Sequence, residues 1–444
     1  MRRRDFLTTT TALLATRMAH AGAAGPSSQS PANAARATPA SAAEARALAA
    51  VDDAADLDLL QRMIRMRSYS GGGEESPLAR FLQDQMNQLG LRTRLIEVEP
   101  GRFDAVGVLP GTGGGTSLML NGHIDTNPVG VGWTVDPFAA VIKDEMIYGI
   151  GVSNMKASCA AMYGTARAIV KSGTKLRGDL VLAFVVGELQ GGVGTLKLIQ
   201  EGVRADTFIV GEPTDLAVMT THAADLSLEI STIGDTRHLS KMEEAISSID
   251  TMFLVIERLK RMPFTGPDDE DARSVRRVNV GSMKAGLGRE YLDWRPPQVP
   301  DFATIKASIR FGPGQSEESV LADVRRELDA LTRENPKVKT ELQVIRRGAL
   351  PPPHAFQVPR TEPIVQTVVS AYDRVLGDAP PVGAVRPYSF YGSDASHLQH
   401  IAGMKGVVCG AGGKYNTMPD ERVELAQFRA ATRVYTIAAV DVCG

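Results

Sequence analysis

The spacing of hydrophobic positions along the chain changes twice, and these changes divide it into segments. From about residue 54 the apolar positions follow a helical period, as Leu57, Leu60 and Ile64 illustrate, and a second amphipathic helix is predicted over 77–89. Short apolar strands are predicted over 92–98, 105–109, 118–120, 179–186 and 207–210, with a helix over 156–171 among them. The continuous apolar run at 179–186 is typical of a strand covered on both faces. This part of the chain therefore predicts an α/β domain.

A different order of elements follows between residues 216 and 351. Strands are predicted over 226–233, 279–287, 304–311 and 340–345, and helices over 243–260 and 316–332. This βαββαβ order is ferredoxin-like. Three prolines, Pro351 to Pro353, precede another helix over 362–376 and a buried strand over 406–409. We therefore expect one α/β domain built from 54–215 and 352–444, with 216–351 inserted as an α+β domain.

The first 53 residues differ in composition from the rest. Met-Arg-Arg-Arg-Asp-Phe-Leu at the start resembles a twin-arginine export signal, and Ala19, His20 and Ala21 form a candidate cleavage site. The alternative is a disordered basic tail. Residues 22–44 are rich in Ala, Ser and Pro, which is typical of disorder. We predict an export signal and a disordered linker over 1–53, and hence a periplasmic protein.

Composition and charge narrow the choice of partners. The chain has 444 residues, of which 43% are hydrophobic and 23% charged, and a formal net charge of −2. This balance favours neither a nucleic-acid partner nor a membrane surface, and no apolar run reaches the roughly 18 residues of a membrane span. The three cysteines are odd in number and far apart, so they imply neither a disulfide framework nor a zinc ribbon.

Candidate chemistry lies at the ends of three predicted strands. The strand at 118–120 delivers His123 and Asp125, an arrangement in which imidazole can ligate a metal while the carboxylate orients the ring. The strand at 179–186 delivers Glu188 beside a glycine-rich turn, and the strand at 207–210 is followed by Glu212. In open α/β sheets the carboxyl ends of the strands are where ligands bind.

Four motifs carry a family resemblance that extends over most of the chain from about residue 54. They are Asp-Thr-Asn-Pro-Val-Gly from 125, Gly-Trp-Thr-Val-Asp-Pro-Phe from 132, Tyr-Gly-Ile-Gly-Val-Ser-Asn-Met-Lys from 148 and Gly-Glu-Pro-Thr from 211. They resemble the zinc-dependent aminoacylase and carboxypeptidase family, which includes acetylornithine deacetylase, succinyl-diaminopimelate desuccinylase and glutamate carboxypeptidase. The resemblance implies a catalytic domain with a mixed central sheet flanked by helices, an inserted ferredoxin-like lid that also forms a homodimer, and two zinc ions.

Mapped onto this chain, the family's metal ligands are only partly retained. The resemblance assigns His123 and Glu212 to one ion, with Asn154 where the family has the aspartate that bridges both ions. For the other ion the positions hold Asn154, Leu189 and Thr417, none of which supplies an anion or an imidazole. We therefore expect one weakly bound zinc or similar divalent ion, or none.

The resemblance also implies catalytic roles. Glu188 stands at the position of the general base, Asp125 at that of the partner of the metal-binding histidine, and His238 at that of the lid histidine that stabilises the oxyanion in the partner subunit. The expected function is hydrolysis of a small amide or an N-acylated amino-acid-like substrate. Two alternatives remain open: a metal-independent isomerase or lyase that uses Glu188 as a proton shuttle, and a non-catalytic protein that binds amino-acid-like ligands.

Overall fold

The computed structural model describes residues 37–444 except 293–296, 347 and 349, so the predicted export signal lies outside the described residues. The helices are α1 (Ala42–Ala49), α2 (Asp53–Arg65), α3 (Ser76–Gln88), α4 (Ala157–Ser172), α5 (Val193–Gln200), α6 (Ser248–Arg261), α7 (Glu270–Val275), α8 (Glu317–Glu334), α9 (Pro363–Leu376), α10 (Ala395–His400) and α11 (Leu425–Cys443).

Strands come from both parts of the chain. They are β1 (Arg92–Glu99), β2 (Arg102–Leu109), β3 (Leu118–His123), β4 (Ile142–Lys143), β5 (Met146–Tyr148), β6 (Leu180–Val185), β7 (Thr207–Val210), β8 (Val218–Met219), β9 (Thr221–His222), β10 (Ala224–Ile233), β11 (Arg277–Gly286), β12 (Phe302–Phe311), β13 (Lys339–Val344), β14 (Phe356–Gln357), β15 (Val382–Gly383), β16 (Lys405–Val408) and β17 (Arg422–Glu424).

The central sheet has eight strands in the order β1-β2-β6-β3-β7-β16-β8-β15. Its middle strands β6, β3, β7 and β16 run parallel, whereas β1 and β2 add to one edge in antiparallel orientation. Every residue of β3 and β6 is buried, because helices such as α4 and α11 pack against the sheet. The predicted mixed sheet flanked by helices is thus confirmed, and parallel β3, β6 and β7 end at one edge.

A second sheet forms the lid, in the antiparallel order β11-β12-β10-β13. Helices α6 and α8 cover one of its faces, and the apolar side chains of Leu228, Ile230 and Ile305 lie in the core between them. The strands and long helices follow the βαββαβ order that the sequence predicts, with the short helix α7 added before β11.

Two predicted boundaries need correction. The linker expected up to residue 53 ends earlier, because α1 is helical: Ser41 caps it, Ala47 is fully buried, and Glu44 contacts Arg374 of α9. Alanine is a good helix former, so an Ala-rich stretch orders when it can pack. The lid expected from 216 begins at β10, because β8 still pairs with β15 and β16 of the central sheet.

Across the part of the chain that the structure describes, none of the helices has both the length and the apolar character needed to cross a membrane.

Candidate functional site

His123, at the carboxyl end of β3, forms the centre of the site. Its ring is buried, with Nδ1 3.0 Å from the backbone oxygen of Asp125 and 3.4 Å from that residue's Oδ1. Nε2 lies 3.0 Å from Oδ1 of Asn154 and 3.6 Å from Oε1 of Glu212. Burial alone would lower the pKa of His123, but the carboxylates of Glu212 and Asp125 outweigh it and raise the pKa well above its usual value.

Asp125 connects β3 to the turn that follows β6. Its carboxylate accepts hydrogen bonds from Oγ of Ser70 at 2.7 Å and from the backbone N–H groups of Glu188 and Leu189, each at 3.2 Å. Burial would raise the pKa of Asp125, yet these hydrogen bonds and His123 hold it below its usual value. Asp125 therefore orients the imidazole and also fixes the start of the turn that carries Glu188.

Glu188 begins a short 3₁₀ turn over Glu188–Gln190, directly after Gly187 in the left-handed conformation. Donor atoms of His123, Glu188 and Glu212 all lie within 4.8 Å of one another. Burial, reinforced by the charge of Glu212, raises the pKa of Glu188 well above its usual value, and burial raises that of Glu212 to about 7. Because the carboxylates of Glu188 and Glu212 lie close together and repel each other, the pair favours binding of a proton or a metal cation between them.

Asn154 lies in a tight turn over Val152–Lys156 that precedes α4. The buried carboxylate of Glu421 accepts hydrogen bonds from three backbone N–H groups of this turn, those of Gly151 (3.1 Å), Ser153 (2.8 Å) and Asn154 (2.9 Å). The sequence analysis did not single out Glu421, because it acts through backbone groups. Its signal was the acidic residue that ends Met-Pro-Asp-Glu at 418–421.

A cleft of about 540 Å³ lies between the two domains, with Asn154, Glu188 and Glu212 among the residues that line it. The lid contributes Asp225 and Arg310, whose side chains are 3.7 Å apart. Asp394 and His397, from the segment at 392–398, complete one wall, and the sequence analysis did not propose them as site residues. The hydroxyl of Thr195 donates a 2.8 Å hydrogen bond to Asp394.

The structure does not bring His238 to the cleft of its own chain. His238 is exposed at the start of a 3₁₀ turn in the lid, where its Nδ1 accepts a hydrogen bond from the backbone N–H of Ser240. Five of the six predicted site residues, His123, Asp125, Asn154, Glu188 and Glu212, therefore cluster, and the sixth lies outside the cluster.

Residues 119–441 match the family described as Peptidase family M20/M25/M40. The chain belongs to this family. The family match and the architecture agree on a peptidase fold. The predicted family is confirmed, and so is the predicted class of enzyme, a hydrolase of amide bonds.

Solved structures of the same fold support the assignment. A tripeptidase from Staphylococcus aureus superposes with a TM-score of 0.72 at 21% identity, covering 88% of this chain and 99% of its own. Human carnosine dipeptidase 1 has a TM-score of 0.70 at 13% identity, covering 91% and 100%. A dinuclear metal-binding peptidase from Bacillus subtilis has a TM-score of 0.64 at 16% identity, covering 88% and 98%. At these identities the likeness concerns the fold.

The residues present in this chain do not fit a dinuclear centre of the family type. One ion would depend on Asn154, Leu189 and Thr417, and a leucine side chain has no donor atom. Thr417 also has φ of 49°, a left-handed conformation that β-branched residues rarely adopt. The arrangement does fit a single ion, since the carboxylate of Glu212 and the amide oxygen of Asn154 both lie close to Nε2 of His123.

Proposed function

We propose that this protein is a hydrolase of small amides or N-acylated amino-acid-like molecules that works with a single divalent ion. The observation that supports this most is the convergence of His123, Glu188 and Glu212 within 4.8 Å, beside the cleft between core and lid. His123 and Glu212 supply an imidazole and a carboxylate of the kind that zinc accepts, and the carboxylate of Glu188 lies close to them for proton transfer.

His123 and Glu212 would hold the ion, with the amide oxygen of Asn154 as a neutral third donor. A divalent ion in such a site polarises a carbonyl and acidifies bound water. Asp125 prepares the site, because it fixes the imidazole ring through Nδ1 and leaves Nε2 directed at Asn154 and Glu212.

Glu188 would act as the general base. Its carboxylate would take a proton from the attacking water as the new carbon–oxygen bond forms, and would return that proton to the amine as the carbon–nitrogen bond breaks. Two hydrogen bonds from the turn to Asp125 keep the start of this segment in place. Burial raises the pKa of Glu188 above its usual value, which makes its carboxylate a stronger base than an exposed glutamate.

We also propose that the working form is a homodimer through the lid. The lid exposes Phe253 (57% exposed) and Leu254 (46%) on α6, and β11 is an edge strand. An apolar surface next to an open strand edge is suited to pairing with a second copy. In that dimer His238 of the partner subunit would enter the cleft and donate to the oxyanion.

Export is part of the same proposal. The arginine-rich start and the candidate cleavage site at 19–21 support secretion of the folded protein to the periplasm. Fractionation of cells that express the full chain, and a Lys replacement of Arg3 and Arg4, would test this: the variant should stay inside the cell.

A metal-independent reaction is the second candidate function. It is favoured by the 3.0 Å contact between Asn154 Oδ1 and His123 Nε2, because this contact occupies the ring nitrogen that an ion would need. In that case Glu188 would move a proton between two positions of the substrate, in an isomerase or lyase reaction.

A turnover screen separates these possibilities. Purified protein would be incubated with N-acylated amino acids and small amides, with added zinc or with a chelator. We expect hydrolysis that requires zinc and is lost in Glu188→Gln. Full activity in chelator would favour the metal-independent enzyme. Ligands that raise the melting temperature without being turned over would favour a binding protein.

A further inference from the structure

A second cavity of about 210 Å³ adjoins the cleft. Asn154 and Thr417 line both cavities, so the two meet at these side chains. These are also two of the three positions at which the family's missing ion would be ligated. We call the smaller cavity the side pocket and define it by Pro128, Trp133, Ile150, Met418 and Pro419 together with Asn154 and Thr417.

The walls of the side pocket are mainly apolar, and the other polar side chains that line them besides Glu421, including those of Thr126 and Asn127, are neutral. Trp133, Pro128 and Pro419 supply flat or rigid hydrophobic surface. Among the described residues that line it, Glu421 alone is charged, and both of its carboxylate oxygens already accept backbone hydrogen bonds. The polar groups at the junction with the cleft, the amide of Asn154 and the hydroxyl of Thr417, are neutral. Such a cavity favours an uncharged apolar group.

Two loops hold the side pocket in shape. Asp420 accepts hydrogen bonds from the backbone N–H of Thr134 at 2.8 Å and from its hydroxyl at 2.6 Å. A third bond comes from the backbone N–H of Val135 at 3.4 Å. These contacts join the loop that carries Trp133 to the loop that carries Thr417, Met418 and Pro419. The pocket is therefore preformed, which lowers the cost of binding.

We propose that the side pocket is a substrate subsite for an uncharged apolar group of about phenyl size. Its volume exceeds the roughly 150 Å³ of an engineered cavity that binds benzene, so a phenyl or branched alkyl group fits. The cleft beside it would hold the amide near Glu188. Loss of the ion's donors at Asn154 and Thr417 would leave a neutral junction through which one substrate could occupy both cavities. The assignment of the ligand as an amide rests on the proposed function.

The test is direct binding, because it does not need turnover. The chain has two tryptophans, Trp133 and Trp294, so Trp294→Phe leaves Trp133 as the only tryptophan reporter. Three probes are compared: N-acetylalanine, N-benzoylalanine with the phenyl group on the acyl side, and N-acetylphenylalanine with it on the amino side. We expect one phenyl probe to change the emission of Trp133 and to bind about tenfold or more tightly than N-acetylalanine. Which probe does so identifies the side of the amide that enters the pocket.

Calorimetry on two variants completes the test. Trp133→Ala should remove most of the preference for the phenyl probe, whereas Val131→Ala, on the same loop but 94% exposed, should keep it. Equal affinity for all three probes, or binding that leaves Trp133 emission unchanged, would overturn the subsite. An inactive protein that still shows the preference would refute the proposed hydrolysis and leave the subsite standing. An active protein without the preference would refute the subsite alone.

Discussion

Oδ1 of Asn154 lies 3.0 Å from Nε2 of His123. In this peptidase family an aspartate is expected at that position, where its charge would offset two cations. The amide of Asn154 has the shape of that carboxylate but no charge. Its oxygen can accept a hydrogen bond from His123 or act as one neutral metal ligand. The contact therefore gives the Nε2 atom of His123 a polar partner at a site where three of the five expected ligand positions hold Asn154, Leu189 and Thr417.

Removal of the carboxylate at Glu188 should affect chemistry and leave the fold intact. Glu188→Gln keeps the size of the side chain and removes the base, so we expect kcat to fall about 10²–10⁴-fold on the best substrate found. Glu201→Gln, an exposed glutamate just after α5, serves as the matched control and should retain full activity. Unchanged turnover in Glu188→Gln would show that the base is a different residue.

Restoration of one ligand should not recreate the missing metal site. Leu189→Glu alone would place a carboxylate near Glu188 and Glu212 without a bridging aspartate or a histidine, so its pKa should rise and no second ion should bind. The triple variant Asn154→Asp, Leu189→Glu, Thr417→His supplies all three donors. We expect it to bind two ions per chain, as measured by elemental analysis after gel filtration. A second ion in the single variant would contradict the ligand assignment.

The proposed dimer predicts complementation between two inactive chains. His238→Ala and Glu188→Gln should each be nearly inactive, because each homodimer lacks one required group in both sites. Mixed and reassembled, they form heterodimers with one complete site, and random pairing gives roughly a quarter of wild-type activity. A mixture no more active than its components would exclude a role for His238 in the partner subunit.

Asp56 should make the stability of the protein depend on pH. Burial raises its pKa from 3.8 to about 7, against the opposing charge of Arg167 at 2.6 Å. Because the folded state keeps this proton to higher pH than the unfolded chain, the free energy of unfolding should fall between pH 4 and 7, by up to about 4 kcal/mol. The side chain introduced by Asp56→Asn cannot titrate. The melting temperature of this variant should therefore increase relative to that of the wild type as the pH rises. Parallel profiles over pH 4–8 would contradict the raised pKa.

Much of the site could be predicted because strand ends converge. His123 ends β3, and Glu188 and Glu212 come shortly after β6 and β7. Because these three strands are neighbours in the sheet, the three side chains could be predicted to lie close together. The contacts of Asp125 with the Glu188 turn could not be predicted, because they depend on how two loops approach each other. Glu421 was not predicted for a related reason: its position after Met-Pro-Asp is visible in the sequence, but the backbone N–H groups that it binds are not.

Local composition was a poorer guide than strand order. The Ala-rich stretch before residue 50 indicated disorder, yet α1 forms there because α11 and α4 offer it a surface. The side pocket was also beyond sequence analysis, since its walls come from loops near residues 130 and 418 that only the fold brings together. In both cases the structure of the segment depends on tertiary contacts that its own sequence does not indicate.

We expect this chain to hold a single ion, because His123 and Glu212 remain for one ion whereas Asn154, Leu189 and Thr417 offer the other neither an anion nor an imidazole. The most direct measurement is the metal content of the purified protein, determined by mass spectrometry after zinc loading and removal of free metal, for the wild type and for Glu212→Gln. We expect one ion per chain in the wild type and a marked loss in the variant, because His123 and Asn154 alone offer no anion. Two tightly held ions per chain in the wild type, or a full complement retained in Glu212→Gln, would contradict the claim.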